Sequence, residues 1–339
     1  MAAKSAMPRS RPSIYDVAAA AGVSQMTVSR VINDAPHIRD TTRARVLAAI
    51  TALEYHPSSA ARSLATNRTM RLGAVINTTS QWGPNGTLIA LERASRAQGY
   101  AVISFSHDDG TDQIVKAGTA ELMRQGVDGI CVIGPRKSTA TAMAGLDLGI
   151  PIVVVGGTPL PGVISIDIDQ AQGAADATRH LLALGHRKIL HLSGPLDSSV
   201  GAARQEAWRH VMEEAGGDAR QVEGDWSSDS GYRLGSDSRL MGDCTAVFAA
   251  NDQMALGLIH GLASRGQRVP VDVSVVGFDD MPGAAHYLPS LTTVRQDLAS
   301  LGENIVANII GVIESYGDER WADAIPATLI ERGSTGRFT

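Results

Sequence analysis

The chain has 339 residues, of which 44% are hydrophobic and 19% are charged. It is therefore long enough for two domains and apolar enough to bury a core rather than remain disordered. No apolar run approaches the roughly 20 residues of a membrane span, and the start of the chain lacks the apolar stretch of a secretory signal. The two cysteines, Cys131 and Cys244, form no CxxC pair. Neither a metal site nor a disulfide framework is expected, and we predict a cytoplasmic protein without a cofactor.

The formal net charge of −5 conceals an uneven distribution. Residues 1–68 hold nine Lys and Arg against four Asp and Glu, whereas the remainder of the chain holds 21 against 31. A basic segment ahead of an acidic body indicates a polyanionic partner for the first segment alone.

Apolar residues with helical spacing run from Ile14 to Leu53 and predict three short helices. Gly22 and Ser24 are suited to cap the first two helices across a very short turn. Asp40, followed by Thr41, is suited to begin the third helix. The predicted apolar stripes are Ile14, Val17, Ala18 and Ala21, then Val28, Val31 and Ile32, then Val46, Leu47, Ile50 and Leu53.

This segment resembles the helix-turn-helix of the lac-repressor (LacI/GalR) family of bacterial transcriptional regulators. The resemblance rests on Tyr15-Asp16-Val17-Ala18, Ala21-Gly22-Val23-Ser24 and Thr27-Val28-Ser29-Arg30-Val31-Ile32-Asn33. If the apolar residues pack inward, the outward residues of the second helix are Gln25, Met26, Thr27, Ser29, Arg30 and Asn33. The guanidinium of Arg30 can bind guanine through two hydrogen bonds.

The resemblance also implies a role for each polar residue. Gln25, Met26 and Arg30 would read bases, and His37 would touch a base edge. The implied phosphate contacts are Ser13, Tyr15, Thr27, Ser29, Asn33 and Thr42. The alternative is a bare three-helix bundle with a polar surface.

Residues 57–65 form a second short segment, too short to persist as an isolated helix in water. It resembles the hinge helix of the same family, which orders on operator DNA and pairs with its twin. Leu64 would then enter between base steps in the minor groove, and Ala61 would allow close contact between the helices. The alternative is a flexible linker with Leu64 packed on the body.

Beyond Arg71, short apolar runs alternate with amphipathic helical stretches, a pattern typical of doubly wound parallel sheets in an α/β fold. The length of this region predicts two similar subdomains. The predicted strands are 72–76, 101–105, 129–133, 152–155, 164–168, 189–192, 246–249 and 273–276, and the predicted helices are 88–98, 174–184, 203–215 and 255–264. Such sheets bind ligands at the carboxyl ends of their strands.

The family resemblance continues over nearly the whole chain, through 184–189, 193–195, 224–227, 250–255 and 274–280. It implies the fold of periplasmic sugar-binding proteins, in which two subdomains hold a ligand between them. The implied organisation is a disordered tail at 1–12, a DNA-binding domain at 13–57, a hinge helix and linker at 58–69, and an effector domain at 70–339. Its N-subdomain would span about 70–168 and 297–325, and its C-subdomain about 169–296 and 326–339.

The residues themselves also favour a sugar pocket. Arg204, Asn251 and Asp279 supply a guanidinium, an amide and a carboxylate, which together can pair with vicinal hydroxyls. Trp226 offers a flat apolar face for a sugar ring. By resemblance, the effector contacts are Arg204, Trp226, Asn251, Asp279 and Gln296. The alternatives are a helix cap for Asp279, a surface ion pair for Arg204 and core packing for Trp226.

The opposite wall departs from the family pattern. Ile133, Gly156, Ile168 and Leu298 stand where the family places polar or aromatic contacts. We expect Asn77, Gln81, Trp82, Gly83 and Pro84 to compensate, with Asn77 and Trp82 as effector contacts and Trp82 able to stack on a sugar. A β-galactoside or a plant-type oligosaccharide is therefore a candidate ligand.

Two other classes of protein compete with this interpretation. An enzyme of nucleotide, acyl or zinc chemistry would need a G-x-G-x-x-G, P-loop, G-x-S-x-G or HExxH motif, and the body has none of them. A secreted sugar-binding protein conflicts with the helix-turn-helix and with the missing signal sequence. We therefore predict a repressor that binds palindromic operator DNA and a sugar effector. Because no leucine-rich heptad tail follows the body, a homodimer is expected. Whether the ligand releases DNA or promotes binding stays open.

Overall fold

Three helices form the first of two units into which the chain divides, Met1–Thr69 and Met70–Thr339. They are α1 (Ile14–Ala21), α2 (Gln25–Ile32) and α3 (Asp40–Ala52). The structure is a computed structural model. It describes residues 12–32, 35–55, 68–76, 81–106, 112–134, 136, 148–156, 163–315 and 324–338.

The helix ends in the first unit follow from local hydrogen bonding. Ser13 and Asp16 form a capping box at the start of α1, in which the Ser13 backbone N–H donates to the Asp16 carboxylate at 2.8 Å. Gly22 ends α1 with a φ of 62°, in the left-handed region that favours glycine. The Thr27 backbone N–H donates to Ser24 Oγ at 3.2 Å, which caps α2. The predicted caps Gly22 and Ser24 are confirmed.

The core of the first unit is small and built from short side chains. Val17, Val28 and Val46, one from each helix, are fully buried. The prediction that Leu47 belongs to this core is wrong, since its side chain is 50% exposed. The inward stripe of α3 runs through Val46 and Ala49 instead, and position 47 points away from it.

The second unit contains two parallel sheets, as predicted for a doubly wound α/β fold. The first has the order β2-β1-β3-β4-β5 and the second the order β7-β6-β8-β9. The strands are β1 (Arg71–Ile76), β2 (Ala101–Ser106), β3 (Gly129–Ile133), β4 (Ile152–Val155), β5 (Ile164–Ile166), β6 (Ile189–Ser193), β7 (Gln221–Glu223), β8 (Ala246–Ala249) and β9 (Ser274–Val276). The predicted strand 164–168 is two residues too long, and β7 was not predicted.

Helices cover both sheets. They are α4 (Trp82–Ala97), α5 (Asp112–Arg124), α6 (Gln170–Ala183), α7 (Ser199–Glu214), α8 (Ser228–Ser236), α9 (Ser238–Met241), α10 (Asp252–Ser264) and α11 (Leu298–Ser315). Each predicted helix of the body lies within α4, α6, α7 or α10 to within one residue at its end, but begins several residues late. The first turns of these helices carry polar and small residues, which add nothing to an apolar stripe. None of the described helices is both long and apolar enough to cross a membrane.

Crossing segments connect the two halves of the body. The segment after β5 runs past Ile168, which pairs with Ile325, and the segment after β9 runs past Asp279, which pairs with Arg295. A short antiparallel pair, β10 (Thr293–Arg295) and β11 (Thr328–Ile330), lies beside them. From there α11 returns to pack on α4 and the first sheet. The carboxyl ends of both sheets face a cleft between the halves.

Helices α8 and α10 pack through glycines. Gly231 and Gly235 on α8 meet the backbone of α10, and Gly257 and Gly261 on α10 meet the backbone of α8. A Cβ at Gly257 would overlap the carbonyl oxygen of Ser228. The backbones of the two helices are therefore in direct contact, and any side chain at these positions would force them apart.

We expect Gly257→Ala to lower the free energy of unfolding of the body by about 1–3 kcal/mol, the usual cost of overpacking. The matched control is Gly311→Ala in α11, where an added Cβ meets nothing within 4 Å. That change should be neutral or stabilising by up to about 1 kcal/mol, because alanine favours the helix. Urea denaturation of both variants measures the difference. Equal stability of the two variants would contradict the packing described here.

Candidate functional site

The outward face of α2 carries the side chains that the sequence assigns to base reading. Gln25 and Arg30 are exposed, and Met26 is 73% exposed, although it is apolar. Thr27 and Ser29 are half-buried on the same helix. Thr27 Oγ1 lies 2.9 Å from Ser24 Oγ, within hydrogen-bonding distance.

The flanking residues of this face are also accessible. Tyr15 is 66% exposed, His37 is exposed, and Ser13 and Thr42 are half-buried. One Arg30 Nη2 N–H donates to the carbonyl oxygen of Pro36 at 3.2 Å, which holds the guanidinium near His37. An exposed methionine among polar groups suits contact with base edges, where both apolar and hydrogen-bonding groups are read. Asn33, Ala61, Leu64 and Asn77 lie outside the described residues.

A cavity of about 410 Å³ occupies the cleft of the body. Residues just after β3 to β9 line it, so both sheets contribute their carboxyl ends. The structure brings together six of the residues predicted to contact an effector, namely Trp82, Arg204, Trp226, Asn251, Asp279 and Gln296. A polar cavity at these strand ends is the usual ligand site of such sheets.

Arg204 is the centre of the polar wall. Its side chain is 3% exposed, so the alternative of a surface ion pair is wrong. Its Nε and Nη2 groups donate to Gln170 Oε1 at 2.9 and 2.7 Å, and Nη1 donates to the carbonyl oxygen of Ala250. The guanidinium carbon lies 3.6 Å from the ring centre of Phe278, a cation–π contact.

Two glutamines extend this network to Asp279. Gln170 Nε2 donates to Gln296 Oε1 at 3.2 Å, and Gln296 Nε2 donates to Asp279 Oδ1 at 2.6 Å. The same Asp279 oxygen lies 3.8 Å from Arg204 Nη2. Gln170 was missed by the sequence reasoning, although it follows directly after the predicted strand 164–168 and its neighbouring acidic residue.

Trp226 and Asn251 are fixed to one another. Asn251 Oδ1 accepts the backbone N–H of Met254 at 2.8 Å and so caps α10. Its Nδ2 donates to the carbonyl oxygen of Trp226 at 3.0 Å. Trp226 and Asp279 have φ angles of 69° and 116°, in the left-handed region that costs energy for residues other than glycine. Such strain is common where the surrounding structure holds a functional side chain in place.

Burial shifts the acid–base behaviour of the polar wall. It raises the pKa of Asp279 to about 6, against the opposing effect of Arg204. Burial also raises the pKa of Asp167, a further residue lining the cavity, to about 6. Conversely, burial lowers the pKa of Arg204 to about 10. Near neutral pH, both carboxyls and the guanidinium are therefore mainly charged.

The opposite wall is more apolar. Gln81, Trp82, Gly83 and Pro84 all line it, together with Ile133, Gly156 and Ile168. The backbone N–H of Trp82 donates to Gln253 Oε1 across the cleft at 3.4 Å. Leu298 does not line this cavity, contrary to the prediction, because its side chain packs against Gly86. Leu301, one helical turn later, lines the cavity instead.

A helix-turn-helix unit joined to a two-halved α/β body with a cavity between the halves defines a class of bacterial transcription regulators. The pattern described as "Bacterial regulatory proteins, lacI family" matches residues 13–58, and the "Periplasmic binding protein-like domain" matches residues 178–335. The chain is 32% identical over 326 residues to the lactose operon repressor of Escherichia coli strain K12, covering 95% of this chain and 90% of that protein.

Two further comparisons agree. The chain is 34% identical over 318 residues to the HTH-type transcriptional repressor PurR of Haemophilus influenzae, covering 90% of this chain and 92% of that protein. A crystal structure of the lac repressor dimer bound to operator and the anti-inducer ONPF matches with a TM-score of 0.87 and 30% identity, over 96% of this chain and 100% of that one. The chain belongs to the lacI family of bacterial regulatory proteins and is a DNA-binding transcriptional repressor.

The raised pKa of Asp279, about 6 against its ordinary 3.8, makes a testable contribution to stability. The folded state holds the proton more tightly than the unfolded state, so ionisation opposes folding fully above about pH 6 and not at all below about 3.8. Relative to the unaltered protein, Asp279→Asn should therefore gain stability as the pH rises from 4 to 6, and the difference should level off above that window.

Asp272→Asn is the control for this measurement. Its hydrogen bond and ion pair with Arg268 lower the pKa of Asp272 to about 2, so its stabilising effect is lost only in more acidic solution. The stability difference for Asp272→Asn should be constant between pH 4 and 7. Thermal unfolding of both variants across this range tests the assignment. A flat profile for Asp279→Asn would show that its carboxyl is not destabilised by burial.

Proposed function

We propose that this repressor controls carbohydrate-utilisation genes and is released from its operator when a sugar binds in the cleft. The observation that carries the proposal is the convergence of Arg204, Asn251, Asp279 and Gln296 on one cavity beside the indole of Trp226. Guanidinium, amide and carboxylate groups together match the alternating donors and acceptors of vicinal hydroxyls.

The two tryptophans support a sugar in a second way. Trp82 and Trp226 both line the cavity, one from each half of the body. Indole faces are apolar and suit the C–H faces of sugar rings, while the polar groups between them bind the hydroxyls. A sugar that bridges both halves would change their relative angle, and a difference in its affinity for the two arrangements would shift the equilibrium between them.

A purine base is the second candidate effector. Relatives of this chain include repressors named PurR, and a flat heterocycle could also stack on Trp226 while bonding to Asp279 and Arg204. We favour the sugar because the lactose operon repressor is similar over almost the whole chain. The same similarity favours induction over co-repression as the sign of the response.

On DNA, we propose that α2 enters the major groove and reads bases through Gln25, Met26 and Arg30. Ser13, Tyr15, Thr27, Ser29, Asn33 and Thr42 would hold phosphates, His37 would touch a base edge, and Ala61 and Leu64 would act at the minor groove. The chain would act as a homodimer on a palindromic operator, with half-sites about one helical turn apart. The match to a lac repressor dimer supports this assembly.

Arg30→Ala should weaken operator binding by about 1–3 kcal/mol and relax the preference at one base position of each half-site. The reason is the loss of a two-fold hydrogen bond to a base edge. Arg45→Ala, an exposed arginine on α3 outside the proposed base-reading set, is the control. It should change affinity for all sequences alike, because it can contribute only general electrostatic attraction. Selection from a randomised operator library measures both. Uniform weakening by Arg30→Ala would mean that Arg30 reads no base.

Asp279→Ala should abolish the response to an inducing sugar and leave operator affinity intact. It removes a buried hydrogen-bond acceptor for the ligand, and the partner group is then left unsatisfied. Asp243→Ala, whose side chain is 73% exposed on the body, should preserve the response. Operator binding titrated with neutral mono- and disaccharides tests both. A response of Asp279→Ala at the sugar concentration that releases the unaltered protein would contradict the proposed pocket.

A further inference from the structure

Asp167 stands apart among the charged residues that line the cavity. Those residues are four aspartates, Asp167, Asp197, Asp225 and Asp279, and two arginines, Arg136 and Arg204. The carboxylates outnumber the cations, so the cavity is acidic. A charged ligand entering it meets this field at close range and with little water to screen it.

The other three aspartates each have a cation beside them. Asp197 pairs with Arg136 at 3.0 Å, Asp225 with Arg233 at 3.1 Å, and Asp279 lies 3.8 Å from Arg204. Within the part of the chain that the structure describes, Asp167 forms no ion pair. The charge of Arg204 reaches it only at longer range and offsets part of the cost of its burial.

Hydrogen bonds hold the Asp167 carboxylate in place through one oxygen only. Oδ1 accepts the backbone N–H of Ile168 at 2.8 Å and Nε2 of Gln170 at 3.4 Å. Oδ2 accepts no hydrogen bond from any residue described in the structure. A carboxylate oxygen has capacity for two hydrogen bonds, so a fixed acceptor on the cavity wall is left for a ligand.

We propose that Asp167 is a further ligand-binding residue, which accepts a hydrogen bond from a hydroxyl or ammonium group of the effector. This rests on the proposed function and narrows its ligand class. The effector is an uncharged or amino-bearing saccharide, and phosphorylated saccharides are rejected. A phosphate would face an unpaired carboxylate, an arrangement that costs affinity, whereas an ammonium would form a charge-assisted hydrogen bond.

The position of Asp167 also connects the ligand to the crossing segments. The Asp167 carbonyl oxygen accepts the backbone N–H of Ile325 at 2.9 Å, and the Asp169 N–H donates to the Ile325 carbonyl at 2.8 Å. Asp279 lies on another crossing segment, paired with Arg295. A ligand bound to both carboxylates therefore contacts two of the segments about which the halves of the body would turn.

The test is calorimetric titration of the full chain at pH 7.5 with paired compounds. These are lactose and cellobiose, the 6-phosphate of each, and the β-linked glucosamine disaccharide. The variants are Asp167→Asn and Asp167→Ala, with Asp176→Asn as control, because the Asp176 side chain is 40% exposed on α6 outside the cavity. Melting temperature and operator binding of each variant establish that it is folded.

We expect the unaltered protein to bind a neutral or amino-bearing disaccharide and not its phosphorylated counterpart. Asp167→Asn should weaken that binding at least tenfold, more for the glucosamine disaccharide than for a neutral one, and Asp176→Asn should not change it. Unchanged affinity in folded Asp167→Asn, or a 6-phosphate that binds as tightly as its parent sugar, overturns this inference and leaves the proposed function intact. If no saccharide binds the unaltered protein, the sugar proposal itself is contradicted, and this inference falls with it.

Discussion

The buried guanidinium of Arg204 is the constraint on which the body depends. A cation that is removed from water must be paired and hydrogen-bonded, or it destabilises the fold. The body meets this requirement with the Gln170 side chain, the Ala250 carbonyl, the Phe278 ring and the Asp279 carboxylate. These partners come from separate segments, so the burial of one charge fixes the relative positions of several strand ends.

The same arrangement prepares the cavity for a polar ligand. Asp279 lies 3.8 Å from Arg204, too far for a direct hydrogen bond. Its contact with Gln296 at 2.6 Å uses one oxygen and leaves acceptor capacity on the carboxylate. A network that is satisfied internally but retains acceptors at its edge is already ordered before the ligand arrives. Binding then costs less entropy than it would if the side chains had to be immobilised.

Local patterns were sufficient to predict the three helices of the first unit, the parallel sheets and most strands of the body. They were also sufficient to place Arg204, Trp226, Asn251 and Asp279 near one another, because each follows or faces a strand end. Features that depend on long-range pairing were not predictable in this way. β10 and β11 consist of three residues each, and α11 packs on α4, which lies far away in sequence.

Asp167 illustrates a different failure. It lies within the run 164–168, which was interpreted as a continuous apolar strand, so its polarity was averaged away. The run in fact alternates, with Ser165, Asp167 and Asp169 between isoleucines. The strand ends at Ile166, which makes Asp167 the first residue after it and thus a member of the group that parallel sheets present to ligands. A one-residue alternation in a short strand carries that information, but overall hydrophobicity does not.

The charge asymmetry of the sequence serves both sites at once. The basic residues concentrate before residue 69, whereas the rest of the chain is acidic. An acidic body repels the phosphates of DNA and leaves binding to the headpiece, whose outward helix carries the groups that distinguish bases. Within the body, the excess of carboxylates over arginines around the cavity applies the same repulsion on a smaller scale. Nucleic acid and phosphorylated metabolites are abundant polyanions, and on this account one feature of composition keeps both of them away from the cleft.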